Sequence, residues 1–368
     1  MKINVERAAL LDAVSRLQKV VGSKTSMPVL DGILMTAQKG CLSLCAYNLE
    51  MGMKKEIYAL CEEEGAIVIN ARLLADILRR MNGPQVNIET DERLMCHILC
   101  NESVFDIMGM DATDFPEMPS VSEGEKASIN GEILTDMVRG TIFAVSQIEG
   151  TRPILTGIYV SVKENVLQMV AIDGYRLAIR RHKVETSAET EFVMTGKAMN
   201  EAVKLIDENT ENVEITVGKR LVSFDINGYV FISRLLEGEF VNFVKIIPDE
   251  YKQSAVLNSN EITDAVERAS LLINDTFSTP VRWIFKDETL TVSCTTAMGR
   301  ATEKLPVALE GESFEIGMNS RYLLDALKAC DSGDILFRFN GSDAGIVIRS
   351  ADESNKDFLY LVMPMRLK

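Results

Sequence analysis

The spacing of hydrophobic side chains switches repeatedly between a helical and a strand-like period along the chain. Apolar residues recur every three or four positions over 5–20 and 70–82, which predicts amphipathic helices. Asn70, Thr195 and Asn319 each stand at the start of such a segment, where a polar side chain caps a helix well. Shorter apolar runs bounded by Gly, Asn or Asp predict strands; they are GAIVIN, QVNIET, NVEITV, LVSFDI, DILFRF and AGIVIR.

These segments occur three times in the same order. LLDAV at 10–14 returns as LTDMV and ITDAV, LSLCA at 42–46 returns as LQMVA and LTVSC, and NARLLADILRR at 70–80 returns as TGKAMNEAVKL and NSRYLLDALKA. The offsets are 123 to 128 residues, about one third of the 368-residue chain. The sequence therefore predicts three tandem α+β domains, each with two helices packed on antiparallel sheet. The six predicted helices are 5–20, 70–82, 131–146, 195–208, 258–273 and 319–330.

Two segments separate the copies. Residues 113–126 are rich in Pro, Ser and acidic side chains, whereas residues 236–252 are more apolar than a free tether, so we expect the second to pack on a domain surface. These positions predict domains over 1–125, 126–253 and 254–368.

Composition places the chain among globular proteins, with 46% hydrophobic and 25% charged residues. No run approaches the eighteen consecutive apolar residues that span a membrane. Glu6, Arg7 and Asp12 interrupt the stretch where a signal peptide needs an apolar core, so we expect a cytoplasmic protein.

The net charge of −15 has the wrong sign for a protein that simply coats nucleic acid. The predicted helices, however, contain 12 basic and 12 acidic side chains, so the whole acidic excess lies outside them. Nucleic-acid binding would therefore require the positive charge to be sorted onto one surface, and the helices are the candidates.

No pattern of catalytic or cofactor-binding residues is present. The chain has only two histidines, His97 and His182, and TGKAM at 195–199 lacks the upstream glycine and the hydroxyl of a phosphate-binding loop. Asp111 and Asp114 precede Phe-Pro in a linker, which favours a solvated loop over a metal site. We therefore expect no enzyme activity, no cofactor and no metal.

The cysteines also allow a metal interpretation, which we do not favour. Cys41 with Cys45, and Cys96-His97 with Cys100, lie in short strand-like runs, where four residues rise about 13 Å. Two thiolates on one zinc ion each lie about 2.3 Å from it. Buried, reduced thiols fit this spacing better.

Three segments carry a resemblance to a known family. The last strand ends in VMPMRL at 362–367, the second copy contains AIDGYRLAI at 171–179, and the second linker reads EGEFVNFVKIIP at 237–248. Together with the threefold repeat, they resemble the bacterial DNA polymerase III beta subunit, the replicative sliding clamp. The resemblance implies a head-to-tail homodimer forming a ring of six similar domains, with helices around the hole and sheets outside. Such a ring encircles duplex DNA without sequence specificity and tethers the replicative DNA polymerase, and a separate clamp loader opens and closes it.

The same resemblance implies a groove for short apolar peptides of the replicative polymerase, repair polymerases and other partners. The residues that match the family's groove are Leu155, Ile172, Gly174, Tyr175, Arg176, Leu177, Val241, Lys245, Ile246, Tyr322, Leu361, Met363, Pro364, Met365, Arg366 and Leu367. Methionine is adaptable and suits a groove that accepts several peptides. Ile172, Val241 and Lys245 depart from the family pattern, which has a small polar residue, a proline and an arginine there.

The implied ring requires residues that contact DNA and residues that join the two subunits. Candidates for loose contacts to DNA are Lys24, Arg72, Arg79, Arg80, Arg139 and Lys197. The resemblance also implies a subunit interface between Phe105 and Ile107 of the first copy and Leu272 and Ile273 of the third, although the apolar pattern alone predicts core positions for all four. Two alternatives remain open at this point: a non-catalytic interaction scaffold of three repeats that does not encircle DNA, and an enzyme with an unrecognised site.

Overall fold

The computed structural model describes residues 1–22, 27–148, 150, 152–186, 188–274, 279–331, 333–352 and 354–367. The chain forms two compact units, the first holding residues 1–132 and 197–235 and the second holding 133–196 and 236–368. Among the helices of the described residues, none is long and apolar enough to cross a membrane.

The six predicted helices are all present but shorter than expected. Their bounds are α1 (Arg7–Leu17), α2 (Ala71–Arg80), α3 (Gly131–Arg139), α4 (Gly196–Val203), α5 (Ser259–Ser270) and α6 (Ser320–Lys328). Asn70 and Asn319 cap helices as predicted, because their side-chain oxygens accept hydrogen bonds from backbone N–H groups of the first turn, including Leu73 at 3.0 Å and Tyr322 at 3.1 Å.

The strands fill the remainder of each copy. They are β1 (Lys2–Glu6), β2 (Gly32–Gln38), β3 (Cys41–Tyr47), β4 (Met51–Ile57), β5 (Ala59–Glu63), β6 (Gly65–Asn70), β7 (Gln85–Thr90), β8 (Met95–Cys100), β9 (Ser103–Met108), β10 (Glu125–Asn130), β11 (Gly157–Lys163), β12 (Val166–Ile172), β13 (Arg176–Lys183), β14 (Thr190–Thr195), β15 (Asn212–Val217), β16 (Leu221–Ile226), β17 (Tyr229–Arg234), β18 (Gln253–Asn258), β19 (Val281–Lys286), β20 (Thr289–Thr296), β21 (Gly299–Pro306), β22 (Ala308–Glu310), β23 (Phe314–Met318), β24 (Asp334–Phe339), β25 (Ile346–Ser350), β26 (Phe358–Val362) and β27 (Pro364–Met365).

Each unit contains two antiparallel sheets. In the first unit the strand orders are β5-β1-β7-β8-β9 and β10-β15-β16-β17-β4-β3-β2-β6. In the second unit they are β14-β11-β12-β13-β26-β25-β24-β18-β22 and β21-β20-β19-β23-β27. The α+β class predicted from the sequence is confirmed.

The strand orders contain the same pattern three times. One half of the pattern is β1-β7-β8-β9, repeated as β10-β15-β16-β17 and as β18-β24-β25-β26. The other half is β6-β2-β3-β4, repeated as β14-β11-β12-β13 and as β23-β19-β20-β21. The threefold repeat predicted from the sequence is therefore a repeat of topology as well.

Two strand pairs join successive copies. Strand β17 pairs with β4 in the first unit, and β26 pairs with β13 in the second. We call these the internal seams. The strands equivalent to their members, β9 and β21, stand at sheet edges with no pairing strand on their outer side within the described residues. We call these the free edges.

The helix predicted over residues 5–20 is wrong at both ends. Residues 2–6 form β1, in which Ile3 and Val5 are buried and their neighbours are not, so the period there is two. The helix predicted over 131–146 ends at Arg139 and is followed by a short 3-10 turn at Ile142–Ala144. In both places apolar residues of a neighbouring element continue the helical spacing, and the spacing alone does not mark the boundary.

Both linkers pack on the sheets. Phe240, Val241 and Tyr251 of the second linker lie against a buried apolar cluster of the nine-stranded sheet, which confirms the packing predicted for 236–252. Phe115 of the first linker is itself buried, and Met118 packs beside it. The linkers therefore contribute to the cores that they connect.

The thiols behave as predicted for three of the four cysteines singled out. Cys45, Cys96 and Cys100 are buried, and burial raises the pKa of Cys96 to about 12. Cys41 is half-buried. Side chains alternate along β8, so His97 points to the opposite face from Cys96 and Cys100. Across the described residues, no three His, Cys, Asp or Glu side chains are arranged to hold a metal ion.

Candidate functional site

The turn between β12 and β13 is built by Asp173. Its Oδ1 accepts hydrogen bonds from the backbone N–H groups of Tyr175 at 2.9 Å and Arg176 at 3.0 Å. Gly174 has φ +92°, a conformation that favours glycine. The turn leaves the Tyr175 side chain 53% exposed, at the surface of the second unit.

The guanidinium of Arg176 fixes this turn to α6. Arg176 is buried, and it donates hydrogen bonds to Asp173 Oδ2 at 3.0 Å and to Asp325 Oδ2 at 2.6 Å. Its Cζ lies 4.3 Å from the centre of the Tyr322 ring, and that ring is 6.1 Å from the Tyr175 ring. Burial raises the pKa of Tyr322, the charge of Asp173 adds to the rise, and Arg176 opposes it. We call the turn together with Tyr175, Arg176 and Tyr322 the wall, in which the charge of Arg176 is paired with Asp173 and Asp325.

The floor beside this wall is the apolar cluster of the nine-stranded sheet, which we call the linker cluster. It consists of buried Val170, Ile172, Leu177, Ile179, Val347, Leu359 and Leu361, with Leu155, Tyr159, Phe240, Val241, Phe243, Ile247 and Tyr251 packed against them. Five of the predicted groove residues therefore share one cluster. Because Ile172, Leu177 and Leu361 are buried, they support the floor and are not themselves exposed for contact with a peptide.

The C-terminal segment runs along the same wall. The N–H of Met363 donates to the carbonyl of Tyr175 at 2.8 Å, and Pro364–Met365 pairs with β23. Met363 is 37% exposed. Residues 363–367 line a surface cavity of about 1010 Å³ together with acidic Glu312, Glu315 and Asp343.

The remaining predicted groove residues lie on the second linker. Lys245 and Ile246 belong to a 3-10 turn at Phe243–Ile246, and both are exposed. Val244 beside them is exposed as well. All sixteen predicted residues thus belong to the second unit, distributed over the wall, the linker cluster, the C-terminal segment and this turn.

Five of the six residues predicted to face DNA lie on three helices. Arg72, Arg79 and Arg80 are exposed on α2, and Arg79 forms an ion pair with Asp76 at 2.7 Å. Arg139 is exposed at the end of α3, and Lys197 is exposed in the first turn of α4. Lys24 lies outside the described residues.

The residues predicted at the subunit interface are not core residues, so the prediction from apolar pattern alone is wrong. Phe105 on β9 is 38% exposed, and Ile107 on the same strand is half-buried. Leu272 and Ile273 follow the end of α5 and are also half-buried, next to a strongly exposed Leu271. The pattern fails here because β9 is an edge strand and α5 ends three residues earlier than predicted.

Sequence reasoning missed the two carboxylates that hold Arg176. The role of Asp173 could have been predicted, because Asp-Gly after a buried strand indicates a turn. In such a turn the Asp side chain accepts hydrogen bonds from backbone N–H groups that follow it. Asp325 lies 149 residues from Arg176, and no local pattern connects them.

Comparisons with known proteins agree along the whole chain. Family models of the DNA polymerase III beta subunit match residues 1–119 for the N-terminal domain, 128–242 for the central domain and 244–366 for the C-terminal domain. The beta sliding clamp of Bacillus subtilis strain 168 is 30% identical over 380 residues, covering 100% of each chain.

Solved structures agree with the sequence relatives. The crystal structure of the Bacillus subtilis DNA polymerase sliding clamp superposes with a TM-score of 0.95 at 29% identity and covers 100% of both chains. The Pseudomonas aeruginosa sliding clamp bound to griselimycin gives a TM-score of 0.90 at 26% identity, again over 100% of both chains. These findings support the clamp interpretation and do not support a scaffold outside this family. The chain belongs to the DNA polymerase III beta subunit family of sliding clamps.

Proposed function

We propose that two copies of this chain pair head to tail through their free edges and close into a ring around duplex DNA. The family makes the chain a non-catalytic processivity factor of DNA replication. On that basis we assign it to the cytoplasm and divide it into clamp domains at 1–125, 126–253 and 254–368. The observation that carries the proposal is the contrast between the internal seams and the free edges.

The internal repeat predicts the register in which β9 of one copy would pair with β21 of the second copy. One position of the repeat is occupied by Gly52 in the first copy, Leu177 in the second and Arg300 in the third. Each of these residues lies opposite the equivalent residue of the preceding strand, which is Tyr47, Ile172 and Thr295 respectively. In the two seams, Gly52 lies opposite Ile232 and Leu177 lies opposite Leu361.

The equivalent of Ile232 on the free edge is Asp106. Ile232 lies three residues after Tyr229, which pairs with Ile226 across a two-residue turn. Asp106 lies three residues after Ser103, which pairs with Cys100 across a turn of the same length. Asp106 of one copy is therefore expected opposite Arg300 of the second copy.

This register places residues of opposite charge opposite each other and places a large side chain opposite a glycine. Asp106 and Arg300 are exposed and of opposite sign, and such pairs stabilise neighbouring strands. Ile107 would lie opposite Gly299, which leaves room for its side chain. Phe105 would point to the face where Phe231 and Tyr360, its equivalents in the seams, are fully buried. Leu272 and Ile273 are proposed to cover it there.

Cross-linking tests the register directly. The double variant Asp106→Cys, Arg300→Cys should form disulfide-linked dimers under mild oxidation, since directly opposed Cβ atoms on paired strands lie about 4.5–5.5 Å apart. The matched control, Asp106→Cys with Lys304→Cys, is four residues out of register and should stay uncross-linked. Equal cross-linking of both variants, or of neither, would contradict the proposed pairing.

The proposed ring resolves the charge of the protein. Direct phosphate contacts give an affinity that falls steeply with salt, whereas a closed ring is retained by linkage. Only loose contacts are then needed, and Arg72, Arg79, Arg80, Arg139 and Lys197 are our candidates because they are exposed on helices. We propose duplex DNA as the encircled partner, without sequence specificity.

We further propose the wall, the linker cluster and the C-terminal segment as the groove for the replicative polymerase, the clamp loader and repair polymerases. Exposed Tyr175 and Met363, held together by the Met363–Tyr175 backbone hydrogen bond, support this assignment. Met363→Asp should weaken binding of a bacterial replicative polymerase about 100-fold, whereas Leu60→Asp, at a more exposed apolar position of the first unit, should not. Unchanged binding by Met363→Asp would refute the groove, and dimer mass measured in parallel separates this outcome from failure of the ring.

A further inference from the structure

The face of the nine-stranded sheet that carries the linker cluster also carries, further along the strands, a group of cations that form no ion pair within the described residues. Arg181, Arg338, Arg349 and Lys356 line a cavity of about 250 Å³, together with apolar Leu336, Phe358 and Leu359 and with polar Ser350, Asp352 and Asn355. We call it the arginine pocket. Leu359 of the linker cluster is part of its lining and Tyr251 of that cluster lies beside it, whereas none of the sixteen predicted groove residues lines it.

The strands place the three guanidiniums on one face. Arg349 lies opposite Leu336 across β25 and β24, and Arg338 follows Leu336 by two residues. Arg181 follows Ile179 by two residues on β13, and Ile179 lies opposite Leu359. Three positive side chains from three strands therefore converge, and Lys356 joins them from the loop before β26.

None of these four cations forms an ion pair with a carboxylate of the described residues. Arg181 Nε donates to the neutral Gln168 at 2.7 Å, and Arg338 lies over the Tyr251 ring at 5.2 Å. The Nε of Arg349 and the hydroxyl of Tyr251 are both buried, and neither has a hydrogen-bond partner among the described residues. Asp352 is exposed at the rim, and its Oδ1 accepts from the N–H and the hydroxyl of Ser354.

Arg176 and Arg180, which are buried and lie on the same strand as the half-buried Arg181, are paired with carboxylates instead. Arg180 lies within 3.1 Å of Asp331 and 3.7 Å of Asp136, and Arg176 is held by Asp173 and Asp325. Arg180 Nε also has no acceptor among the described residues, so the pocket is distinguished by its four cations, none of which is ion-paired within the described residues although Asp352 belongs to the lining. The pKa of Arg181 is lowered by burial and by the charge of Arg349, as expected for like charges without a counter-ion.

We propose that the arginine pocket binds a phosphoryl group, either as free phosphate or pyrophosphate or as part of a small phosphorylated molecule. A dianionic tetrahedral group offers several acceptor oxygens to the three guanidinium groups, which project from different strands. A guanidinium binds a phosphate through two parallel hydrogen bonds. A single planar carboxylate satisfies fewer of these donors. The proposal does not depend on the ring or on the groove.

Titration of the intact dimer with inorganic phosphate and with pyrophosphate, at constant ionic strength, tests the site. We expect saturable binding by calorimetry and a rise in unfolding temperature that sodium chloride of equal ionic strength does not produce. A nucleoside triphosphate compared with its nucleoside separates a phosphorylated molecule from free phosphate as the source. A tetraglutamate peptide that binds as tightly as pyrophosphate would overturn the phosphoryl assignment.

Two variants distinguish loss of the site from misfolding, because pyrophosphate binding and unfolding temperature should change in opposite directions in the first and binding should not change in the second. Arg349→Met should weaken pyrophosphate binding about tenfold or more, because it removes a charge-assisted pair. It should also raise the unfolding temperature of the ligand-free protein, because it removes a half-buried cation that has no ion-pair partner among the described residues. Arg321→Met, which removes an exposed arginine of α6 outside the pocket, should leave binding unchanged. Absence of saturable binding in the unsubstituted protein, or equal binding by Arg349→Met, would refute the proposal.

Discussion

The internal seams and the free edges occupy equivalent positions of one repeated fold, yet their side chains differ. In the seam between β13 and β26, Leu177 lies opposite Leu361 and both are buried in the linker cluster. At the free edges the equivalent residues are Arg300 and Asp106, and both are exposed. The seam is apolar where one chain covers it permanently, whereas the edge carries charge where only a second copy is proposed to cover it.

The difference shows how a sheet edge is kept available without inviting aggregation. An unpaired apolar strand is a template for any other strand, and natural edges are protected by charges and proline. Strand β21 carries Arg300, Lys304 and Pro306, while β9 carries Asp106 between Phe105 and Ile107. Opposite charges on the two edges favour pairing of β9 with β21 and disfavour pairing of either edge with itself.

The largest effect should come from placing the charge of the free edge in the seam. Leu361→Asp buries a carboxylate in the linker cluster and should lower the free energy of unfolding by at least about 4 kcal/mol. The reciprocal change at the equivalent edge position, Asp106→Leu, should alter it by no more than about 0.5 kcal/mol. Urea unfolding followed by circular dichroism measures both. Similar losses in the two variants would show that edge and seam do not differ in burial.

A smaller effect is expected from removing the aromatic side chain of the free edge. Phe105→Ala should weaken the dimer by about 2 kcal/mol, or about 30-fold in dissociation constant, without unfolding the protein. Tyr58→Ala removes a more exposed aromatic side chain that is not on β9 and should have no effect on association. Sedimentation equilibrium distinguishes the two. Unchanged association in Phe105→Ala would place the interface elsewhere.

The proposed ionic contact between the edges should contribute less. Asp106→Arg places like charges opposite each other and should weaken the dimer about three- to tenfold. Combining it with Arg300→Asp restores opposite signs and should recover most of the affinity at low salt. If the double variant is as weak as the sum of the single variants, the two residues are not neighbours.

The smallest effect is a pH dependence through His97. Its Nδ1 lies 2.6 Å from Asp106 Oδ1, and that hydrogen bond raises the pKa of His97, with the charges of Asp106, Asp91 and Glu89 adding to the rise and burial opposing it. Because the folded pKa is the higher one, the stabilisation is complete below the ordinary value of about 6.5 and is lost as pH rises through the folded pKa. In the proposed ring, protonated His97 would compete with Arg300 of the second copy for Asp106.

We therefore expect the dissociation constant of the dimer to rise as pH falls from 8 to 5.5, by less than about threefold. NMR titration of His97 should show a raised pKa that returns toward the ordinary value in Asp106→Asn. His97→Gln should remove the pH dependence of association. A dependence that persists unchanged in His97→Gln would assign it to another group.

Much of the fold followed from the sequence because it depends on local periodicity. The six helices, the threefold repeat and strands such as β15 and β24 were all predictable from apolar spacing. The seams were not, since β26 pairs with a strand about 180 residues earlier in the chain. Burial at β9 was mispredicted for the same reason, because an apolar pattern does not reveal whether a neighbouring strand exists. The partners of Arg176 and the arginine pocket likewise depend on which strands lie side by side.

Retention on circular DNA tests the central claim most directly. The protein, loaded onto nicked circular duplex by a bacterial clamp loader with ATP, should remain bound in salt that dissociates ordinary DNA-binding proteins. Cutting the circle once should release it within minutes by sliding off the ends. Retention that survives the cut, or loss from the intact circle at the same salt concentration, would contradict encirclement by a closed ring.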